Sequence, residues 1–532
     1  MENNIIKTGK YVPPVPDVSV GKLLLDAMKR NEKRIGHIEA ITGAEETYGS
    51  LWLRSVRFAQ ALIRKGVRLG DIVTLVVRNT ADSLVLLTGA LAAGAIVNPL
   101  DVALGEDDIT HIVKNTSPKF IFTENIVLEK VKKALNNSKH DALLVTIDKV
   151  GNCPSFQDFQ TPTGTEDKFQ AVDVGDTFES VAFLLCSSGS TGAPKTVMTT
   201  HAYIPRPFMQ STLLDPEDRV FTFSSIYWSS GLYVTVGSCL AGSMRLISTE
   251  AFSEEFLFKC IHQHKLTTVA LSHIFFGKMA RHPHLSTADL STIRKIWVGG
   301  GSVPFQLIKD VNKYLKNGFI RMNYGQTEVG GISMNIDKML KPNSVGQLHK
   351  GYHAKIVSLD DGKILPRLET GEVCINPPFK AKGYWNNPQA NEELFDDDGW
   401  VKTGDVGYFD EEDHLFLVDR RKNMLRTSRM FSCTPNDLEG ELYKHHCVQT
   451  AAVVGVVGKD LFDIPVAFVV LKPGCNATEQ ELQKLVADNL PDYKHLTGGV
   501  IFVDQIPMTP SGKYKLGELK REAQAVYNAR FI

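Results

Sequence analysis

The chain has 532 residues, of which 43% are hydrophobic and 22% are charged, and its formal net charge is -1. A charge balance this close to neutral argues against a strongly basic nucleic-acid-binding protein and favours chemistry on small molecules. At about 150 residues per domain, the length predicts a multidomain protein.

The chain carries no clear export or membrane signal. Its longest apolar stretch, 84–97, is shorter than the ~20 residues that span a bilayer, and the N-terminus lacks the apolar core of a signal peptide. The eight cysteines include no Cys-x-x-Cys pair, which is typical of reduced structural thiols. The C-terminus ends in Phe531-Ile532 and not in the peroxisomal Ser-Lys-Leu. We therefore expect a cytoplasmic protein, with the peroxisome as the alternative.

The first predicted elements alternate between strand and helix. β-branched and apolar runs predict strands over 72–77, 95–100 and 119–122, and an apolar helix over 82–93. This alternation favours layered α/β structure with parallel strands. Residues 152–176, which contain proline and glycine but few periodic apolar residues, are predicted to form a surface connection.

A candidate phosphate loop follows a predicted buried strand over 181–186. The loop runs Ser-Ser-Gly-Ser-Thr-Gly-Ala-Pro-Lys from Ser187 to Lys195, so hydroxyls and backbone N–H groups can converge on one anion beside a cation. A Walker loop is excluded, because its spacing would place Pro194, which has no N–H, where glycine is required. Taken alone, the segment is equally typical of an exposed turn.

The strand pattern continues downstream and then changes. Strands are predicted, in order, over 219–224, 244–247, 268–271, 295–298 and 319–322, and shorter ones over 353–358, 371–376 and 414–418. The final 110 or so residues combine predicted strands over 451–457 and 465–471 with an amphipathic helix over 478–489. The sequence therefore predicts a large α/β region, a β-rich subdomain and a small α+β domain.

The loop and the motifs after it resemble those of the adenylate-forming enzymes, which include acyl-CoA synthetases, aryl- and coumarate-CoA ligases and insect luciferases. The resemblance covers nearly the whole chain, and its further motifs lie at 324–328 (Tyr-Gly-Gln-Thr-Glu), 383–388 (Gly-Tyr-Trp-Asn-Asn-Pro), 399–405, 419–420 (Asp-Arg) and 510–513 (Pro-Ser-Gly-Lys). It implies a large N-terminal domain over 1–418, with its β-rich subdomain at about 345–418. A hinge at 419–420 and a mobile α+β lid over 421–532 would follow.

The resemblance also implies ATP, Mg²⁺ and CoA, with a small carboxylic acid as substrate. The residues implied to bind the nucleotide are Ser187, Ser188, Gly189, Ser190, Thr191, Gly192, Lys195, Gly299, Gly300, Gly301, Tyr324, Gly325, Gln326, Thr327, Asp405 and Arg420. Within this set, the phosphates would meet the loop and Lys195, adenine would meet Tyr324 and the three glycines, and the ribose would meet Asp405 and Arg420. As isolated residues, Asp405 and Arg420 would be ordinary surface charges.

Three residues are implied to be catalytic. Thr327 would hydrogen-bond the α-phosphate, Glu328 would hold Mg²⁺, and Lys513 would neutralise charge as the lid closes. Asp419 would be the hinge. Trp228 and Ser229 are candidates for the substrate pocket, although Trp228 is equally typical of a core residue.

One departure from the family pattern concerns the step that follows adenylation, in which the acyl group is transferred to CoA. Arg429 stands where a glycine is expected, in a segment that faces the site during thioester formation. We therefore expect slow transfer to CoA, and a luciferase that oxidises the adenylate with O₂ is the alternative function. Trp228 argues only against a beetle-type luciferin pocket. A nucleotide-binding protein without turnover is disfavoured by the presence of Glu328, Asp405 and Lys513.

Overall fold

The computed structural model describes residues 4–9, 17–187, 194–204, 213–335, 341–428, 433–458, 460, 462–508 and 514–531. The strands in chain order are β1 (Ile6–Lys7), β2 (Ile35–Glu39), β3 (Glu45–Thr47), β4 (Ile72–Val76), β5 (Ile96–Leu100), β6 (Phe120–Thr123), β7 (Leu143–Thr146), β8 (Val181–Ser187), β9 (Lys195–Thr200), β10 (Arg219–Thr222), β11 (Met244–Ile247), β12 (Thr268–Ser272), β13 (Lys295–Gly299), β14 (Phe319–Gln326), β15 (Gly330–Met334), β16 (Ser344–Leu348), β17 (His353–Val357), β18 (Gly371–Asn376), β19 (Val401–Phe409), β20 (His414–Arg420), β21 (Val448–Val457), β22 (Asp463–Leu471) and β23 (Val500–Phe502).

The α-helices, labelled within the described residues, are α1 (Val20–Arg30), α2 (Tyr48–Arg64), α3 (Ser83–Ala92), α4 (Glu106–Thr116), α5 (Leu128–Ser138), α6 (Ser229–Ala241), α7 (Glu254–His264), α8 (His273–Arg281), α9 (Phe305–Asn312), α10 (Pro388–Leu394), α11 (Pro435–Leu442), α12 (Glu479–Asn489) and α13 (Leu516–Phe531). Among these described residues, none of the helices is both long enough and apolar enough to cross a membrane.

A six-stranded sheet carries the candidate phosphate loop. Its order is β7-β6-β4-β5-β8-β9, and every neighbouring pair is parallel except β8 with β9. The central parallel strands β4, β5 and β6 are buried along their whole length and are mainly apolar, as expected for a sheet covered on both faces. The strands predicted over 72–77, 95–100, 119–122 and 181–186 are thereby confirmed to within one residue at each end. The loop connects β8 to the antiparallel β9, so it closes a hairpin.

A 14-stranded sheet forms most of the remaining large region. Its order is β1-β17-β18-β19-β20-β16-β15-β14-β13-β12-β10-β11-β2-β3. The run from β2 through β11, β10, β12 and β13 to β14 is parallel, whereas the part from β14 to β1 is antiparallel. The predicted change to short strands after about residue 345 therefore appears as a change of strand direction within one sheet.

Helix α3 lies inside the large region. All ten of its residues are buried, because the helix is apolar on every side and packs against α1 and α2. Gly89 allows this approach, since a Cβ at that position would lie 2.6 Å from the Phe58 ring and 2.7 Å from the carbonyl oxygen of Ser55. The predicted buried, tightly packed helix is confirmed.

The C-terminal region is a three-stranded sheet, β21-β22-β23, between two layers of helix. Helices α11 and α12 cover one face through apolar residues such as Leu438 and Leu482, and α13 covers the other through Leu519 and Tyr527. Helix α12 begins after Thr478, whose side chain and Glu481 form a capping box. The expected α+β fold is confirmed.

Two predicted strand ends were wrong in a way that matters for the site. The strand predicted over 319–322 continues to Gln326, because β15 pairs with it beyond a bulge between Tyr324 and Gly325. The strand predicted over 414–418 continues to Arg420, because Arg420 pairs with Asp405 of β19. The motif residues are therefore held by sheet pairing and not by free turns.

Candidate active site

The carboxyl ends of three neighbouring parallel strands form the floor of the candidate site. Register pairs Ser272 at the end of β12 with Gly299 at the end of β13, and Gly299 with Asn323 in β14. Open α/β sheets bind ligands at this edge, where the segments after the strands converge. The predicted glycine and tyrosine motifs therefore lie side by side.

The glycines after β13 leave a surface without side chains. Gly300 has a φ of +87°, and a Cβ at Gly301 would lie 2.6 Å from the imidazole ring of His273, at the start of α8. Gly300 and Gly301 are exposed. Glycine at 301 makes room for the His273 ring, and the exposed backbone of both glycines is left for a flat ligand ring to approach.

Asp405 is the centre of a hydrogen-bond network that joins four of the predicted residues. One carboxylate oxygen accepts from the hydroxyl of Tyr324 at 2.7 Å and from Nε2 of Gln326 at 2.5 Å, and the other lies 2.8 Å from Nε of Arg420. Burial, followed by the charge of Asp405, raises the pKa of the Tyr324 hydroxyl well above its usual range, so this group stays a donor at neutral pH. Asp405 is buried and Arg420 exposed, so the pair reaches from the sheet to the surface.

Thr327 is fixed from two sides. Its hydroxyl lies 2.9 Å from that of Ser229, the first residue of α6, and its carbonyl oxygen accepts from the Tyr203 hydroxyl at 2.7 Å. A predicted catalytic residue and a predicted pocket residue are therefore in contact. Trp228, directly before α6, is half-buried and packs edge-on against Tyr227, with ring centroids 4.8 Å apart.

Glu328 and Lys195 meet through Tyr384. The Tyr384 hydroxyl donates to Oε1 of Glu328 at 2.8 Å, and Lys195 Nζ lies 5.0 Å from the centroid of the Tyr384 ring. A bridge between Val197 of β9 and Tyr384 holds the two segments together. Burial and then the Glu328 charge raise the pKa of Tyr384 far above its usual value. Tyr384 belongs to the motif at 383–388, but no role for it is predicted from the sequence.

A cluster of three tyrosines supports the turn that carries Thr327 and Glu328. A Cβ at Gly330 would lie 3.3 Å from the hydroxyl oxygens of Tyr203, Tyr233 and Tyr352 alike. The Tyr352 hydroxyl also donates to the carbonyl oxygen of Val329 at 2.9 Å. Sequence reasoning missed all three, because they come from distant segments and belong to none of the motifs.

The carboxylate of Glu328 suits a Mg²⁺ ion. Tyr384 fixes one of its oxygens, and within the described part of the chain Glu328 forms no ion pair. Mg²⁺ takes oxygen ligands and is usually held by one or two carboxylates together with phosphate oxygens. Glu328 therefore fits a metal ion that shares its coordination with a nucleotide.

The remaining predicted residues lie at the base of the loop, at the position predicted to be a hinge, or outside the described structure. Ser187 and Lys195 pair across the hairpin base, where the Ser187 hydroxyl is 3.4 Å from the Lys195 carbonyl oxygen. Asp419 accepts from the Arg420 backbone N–H at 2.6 Å, and burial raises the pKa of its carboxyl group. The predicted residues outside the described ranges are Ser188, Gly189, Ser190, Thr191, Gly192, Arg429 and Lys513.

Comparison with known proteins gives two family matches. Residues 28–385 match the family described as AMP-binding enzyme, and residues 437–513 match the AMP-binding enzyme C-terminal domain. Luciferin 4-monooxygenase of Nipponoluciola cruciata is 30% identical over 531 residues, 96% of each chain. 4-Coumarate–CoA ligase 3 of Arabidopsis thaliana is 29% identical, over 90% of this chain and 87% of that protein.

The fold has solved counterparts. The crystal structure of the anthranilate CoA ligase AuaEII in complex with anthranoyl-AMP matches 97% of this chain and 99% of its own, with a TM-score of 0.86 and 21% sequence identity. At that identity the match supports the fold alone. It agrees with the large sheet region and the small α+β domain described above.

Proposed function

This chain belongs to the family of AMP-binding enzymes, which are adenylate-forming, and from that premise we propose that it activates a small carboxylic acid with ATP and then transfers the acyl group to CoA. In the first step, a carboxylate oxygen bonds to the α-phosphorus and pyrophosphate leaves. In the second step, the CoA thiol attacks the acyl carbon and AMP leaves. The network that joins Asp405, Tyr324, Gln326 and Arg420 carries the proposal, because it holds several polar groups in fixed positions close to Thr327 in the sequence.

Each residue has a distinct part in the proposed reaction. Tyr324 and Gly299–Gly301 flank adenine. Asp405 accepts hydrogen bonds from the ribose hydroxyls, and Arg420 donates to the same sugar. Thr327 donates to the α-phosphate, and Lys195 with the Ser187–Gly192 loop neutralises the departing pyrophosphate. Glu328, oriented by Tyr384, would hold Mg²⁺, which when bound offsets the charge of the phosphates. Trp228 and Ser229 line the side from which the acid approaches.

Lys513 tests the adenylation step. Lys513→Ala should lower pyrophosphate release by about 100- to 1000-fold, the cost of losing one fixed donor to developing charge. ATP binding should change little, because the lysine acts on the transition state. Lys520→Ala is the matched control, since Lys520 is an exposed lysine of α13 in the same domain. Wild-type pyrophosphate release from Lys513→Ala would contradict the proposed lid role.

The second half-reaction is tested by product analysis on a panel of fatty, aromatic and luciferin-like acids, with pyrophosphate, CoA thioester and light recorded together. Oxidation of the adenylate by O₂ with light emission is the second candidate, favoured by the arginine at position 429. The Arg429 side chain would obstruct the pantetheine arm that carries the CoA thiol. We therefore expect slow thioester formation in the wild type and faster acyl transfer to CoA in Arg429→Gly. A wild-type thioester rate that collapses in Arg429→Gly would instead make the arginine a ligand of CoA phosphate.

A further inference from the structure

Four thiol and imidazole side chains gather at the open end of the β21–β22 hairpin, in the C-terminal domain. His445, His446 and Cys447 lie between α11 and the first residue of β21, and Cys475 lies just beyond the end of β22. The backbone N–H of Lys472 donates to the carbonyl oxygen of Cys447 at 2.9 Å, which holds the two segments side by side. The proposed reaction uses none of these side chains.

The donor atoms are already close to the spacing of a metal site. One donor atom from each of His445, His446 and Cys447 lies within 4.8 Å of the others, and Cys447 Sγ is 3.3 Å from His446 Nε2. In a tetrahedral zinc site, bond lengths of about 2.3 Å to sulfur and about 2.0 Å to nitrogen place such a pair about 3.5 Å apart. The backbone N–H of Cys475 donates to the carbonyl oxygen of Lys472 at 3.0 Å, which brings a second thiol to the same end of the hairpin as a fourth candidate donor.

The orientation of the rings agrees with this arrangement. His445 Nδ1 accepts a long hydrogen bond of 3.3 Å from the Cys447 N–H, so coordination through this nitrogen would replace a weak contact. The two imidazole rings stack with centroids 4.8 Å apart. Cys447 is buried and His446 exposed, which leaves an entry path from solvent to a sheltered thiol.

Within the described part of the chain, no lysine ammonium group forms a salt bridge or side-chain hydrogen bond with the side chains of His445, His446, Cys447 or Cys475. A second group of possible ligands, Asp410, Glu412 and His414, differs in this respect, because Lys341 Nζ lies 2.5 Å from Asp410 and 3.0 Å from Glu412. Near the cysteines, Lys472 Nζ donates to the His446 backbone carbonyl.

We propose that His445, His446, Cys447 and Cys475 form a structural binding site for a thiophilic d¹⁰ cation of the Zn²⁺ class. Two thiolates and two imidazoles are a common ligand set for structural zinc, and soft sulfur ligands disfavour Mg²⁺ and Ca²⁺. The ion would tie the start of β21 to the segment after β22. It would therefore stabilise the C-terminal domain without entering the chemistry.

Co²⁺ titration of the full-length, tag-free, reduced protein tests the site. We expect a thiolate-to-cobalt charge-transfer band that saturates at one ion per chain and is lost when Zn²⁺ is added. Cys475→Ser, at a half-buried position, should lose the band, and His446→Gln should weaken binding at least tenfold. Cys153→Ser is the matched control, because Cys153 is also half-buried but lies in the large region, and it should bind as the wild type does.

A thermal measurement separates the site from adventitious surface binding. Zn²⁺ should raise the unfolding temperature of the wild type and of Cys153→Ser but not that of Cys475→Ser. Equal metal content in wild type and Cys475→Ser would overturn the proposal. It would also be overturned by a Cys447–Cys475 disulfide that forms in the purified protein and leaves it insensitive to Zn²⁺.

Discussion

At the scale of the residue, Tyr384 is the link between the carboxylate and the cation of the candidate site. Tyr384→Phe removes the hydroxyl that donates to Glu328 and keeps the ring under Lys195. A hydrogen bond to a charged group is worth about 1.5–3 kcal/mol, so kcat for pyrophosphate release should fall about 10- to 100-fold. The Mg²⁺ concentration needed for half-maximal rate should also rise, because Glu328 loses its fixed orientation.

The control for this substitution is Tyr408→Phe. Tyr408 lies on β19 of the same sheet, and its ring stacks on Phe416 with centroids 5.0 Å apart. Its kinetics should match those of the wild type. Unchanged kcat and Mg²⁺ dependence in Tyr384→Phe would show that Glu328 is held by something other than this hydroxyl.

At the scale of the element, the β14–β15 hairpin carries Thr327 and Glu328 and depends on close backbone approach. A Cβ at Gly325 would lie 2.4 Å from the carbonyl oxygen of Gly330, which is backbone and cannot rotate away. Gly325→Ala should therefore lower the free energy of unfolding by about 1–3 kcal/mol and reduce adenylation by displacing the turn. Urea denaturation and pyrophosphate release measure the two effects.

Gly440→Ala is the matched glycine control. Gly440 lies within α11, and an added Cβ would meet no atom within 4 Å. Since glycine inside a helix costs about 0.5–1 kcal/mol relative to alanine, this substitution should stabilise the protein. If Gly325→Ala were equally harmless, the hairpin would be more deformable than its contacts indicate.

At the scale of the whole molecule, a carboxyl group near the junction of the two regions makes stability depend on pH. Glu439 of α11 accepts from the Val453 N–H at 2.9 Å, and burial, with a smaller contribution from the Asp419 charge, raises its pKa from 4.5 to about 7. The folded protein therefore favours the protonated form. This contribution to stability is fully present below pH 4.5 and is lost as the pH rises through about 7.

Glu439→Gln should remove that dependence, because the amide oxygen can still accept from Val453 and no charge is buried. Above about pH 7.5, the variant should be about 1–3 kcal/mol more stable than the wild type, and the gap should close near pH 4. Urea denaturation followed by circular dichroism at both pH values measures the gap. Glu411→Gln, at an exposed turn position, is the control. A gap of the same size at both pH values would contradict the assignment.

The sequence by itself determined the local structure and the chemistry of the motifs. The strands Met244–Ile247 and Gly371–Asn376 have the predicted bounds, because apolar and β-branched runs between turn residues specify extended structure without distant help. The resemblance of the motifs to those of the adenylate-forming enzymes singled out Tyr324, Asp405 and Arg420, and the structure joins these three residues in one network. As isolated residues, Asp405 and Arg420 would have been ordinary surface charges.

The tertiary structure alone decided which distant segments meet. Tyr203, Tyr233 and Tyr352 converge on Gly330, Tyr384 reaches Glu328, and the segment that carries Cys475 pairs with Cys447 through the backbone of Lys472. Hydrophobic periodicity shows which face of an element is buried, but it does not specify which element covers that face. The order of the strands in each sheet does so, because it brings the loops and helices that follow distant strands to the same place in the fold.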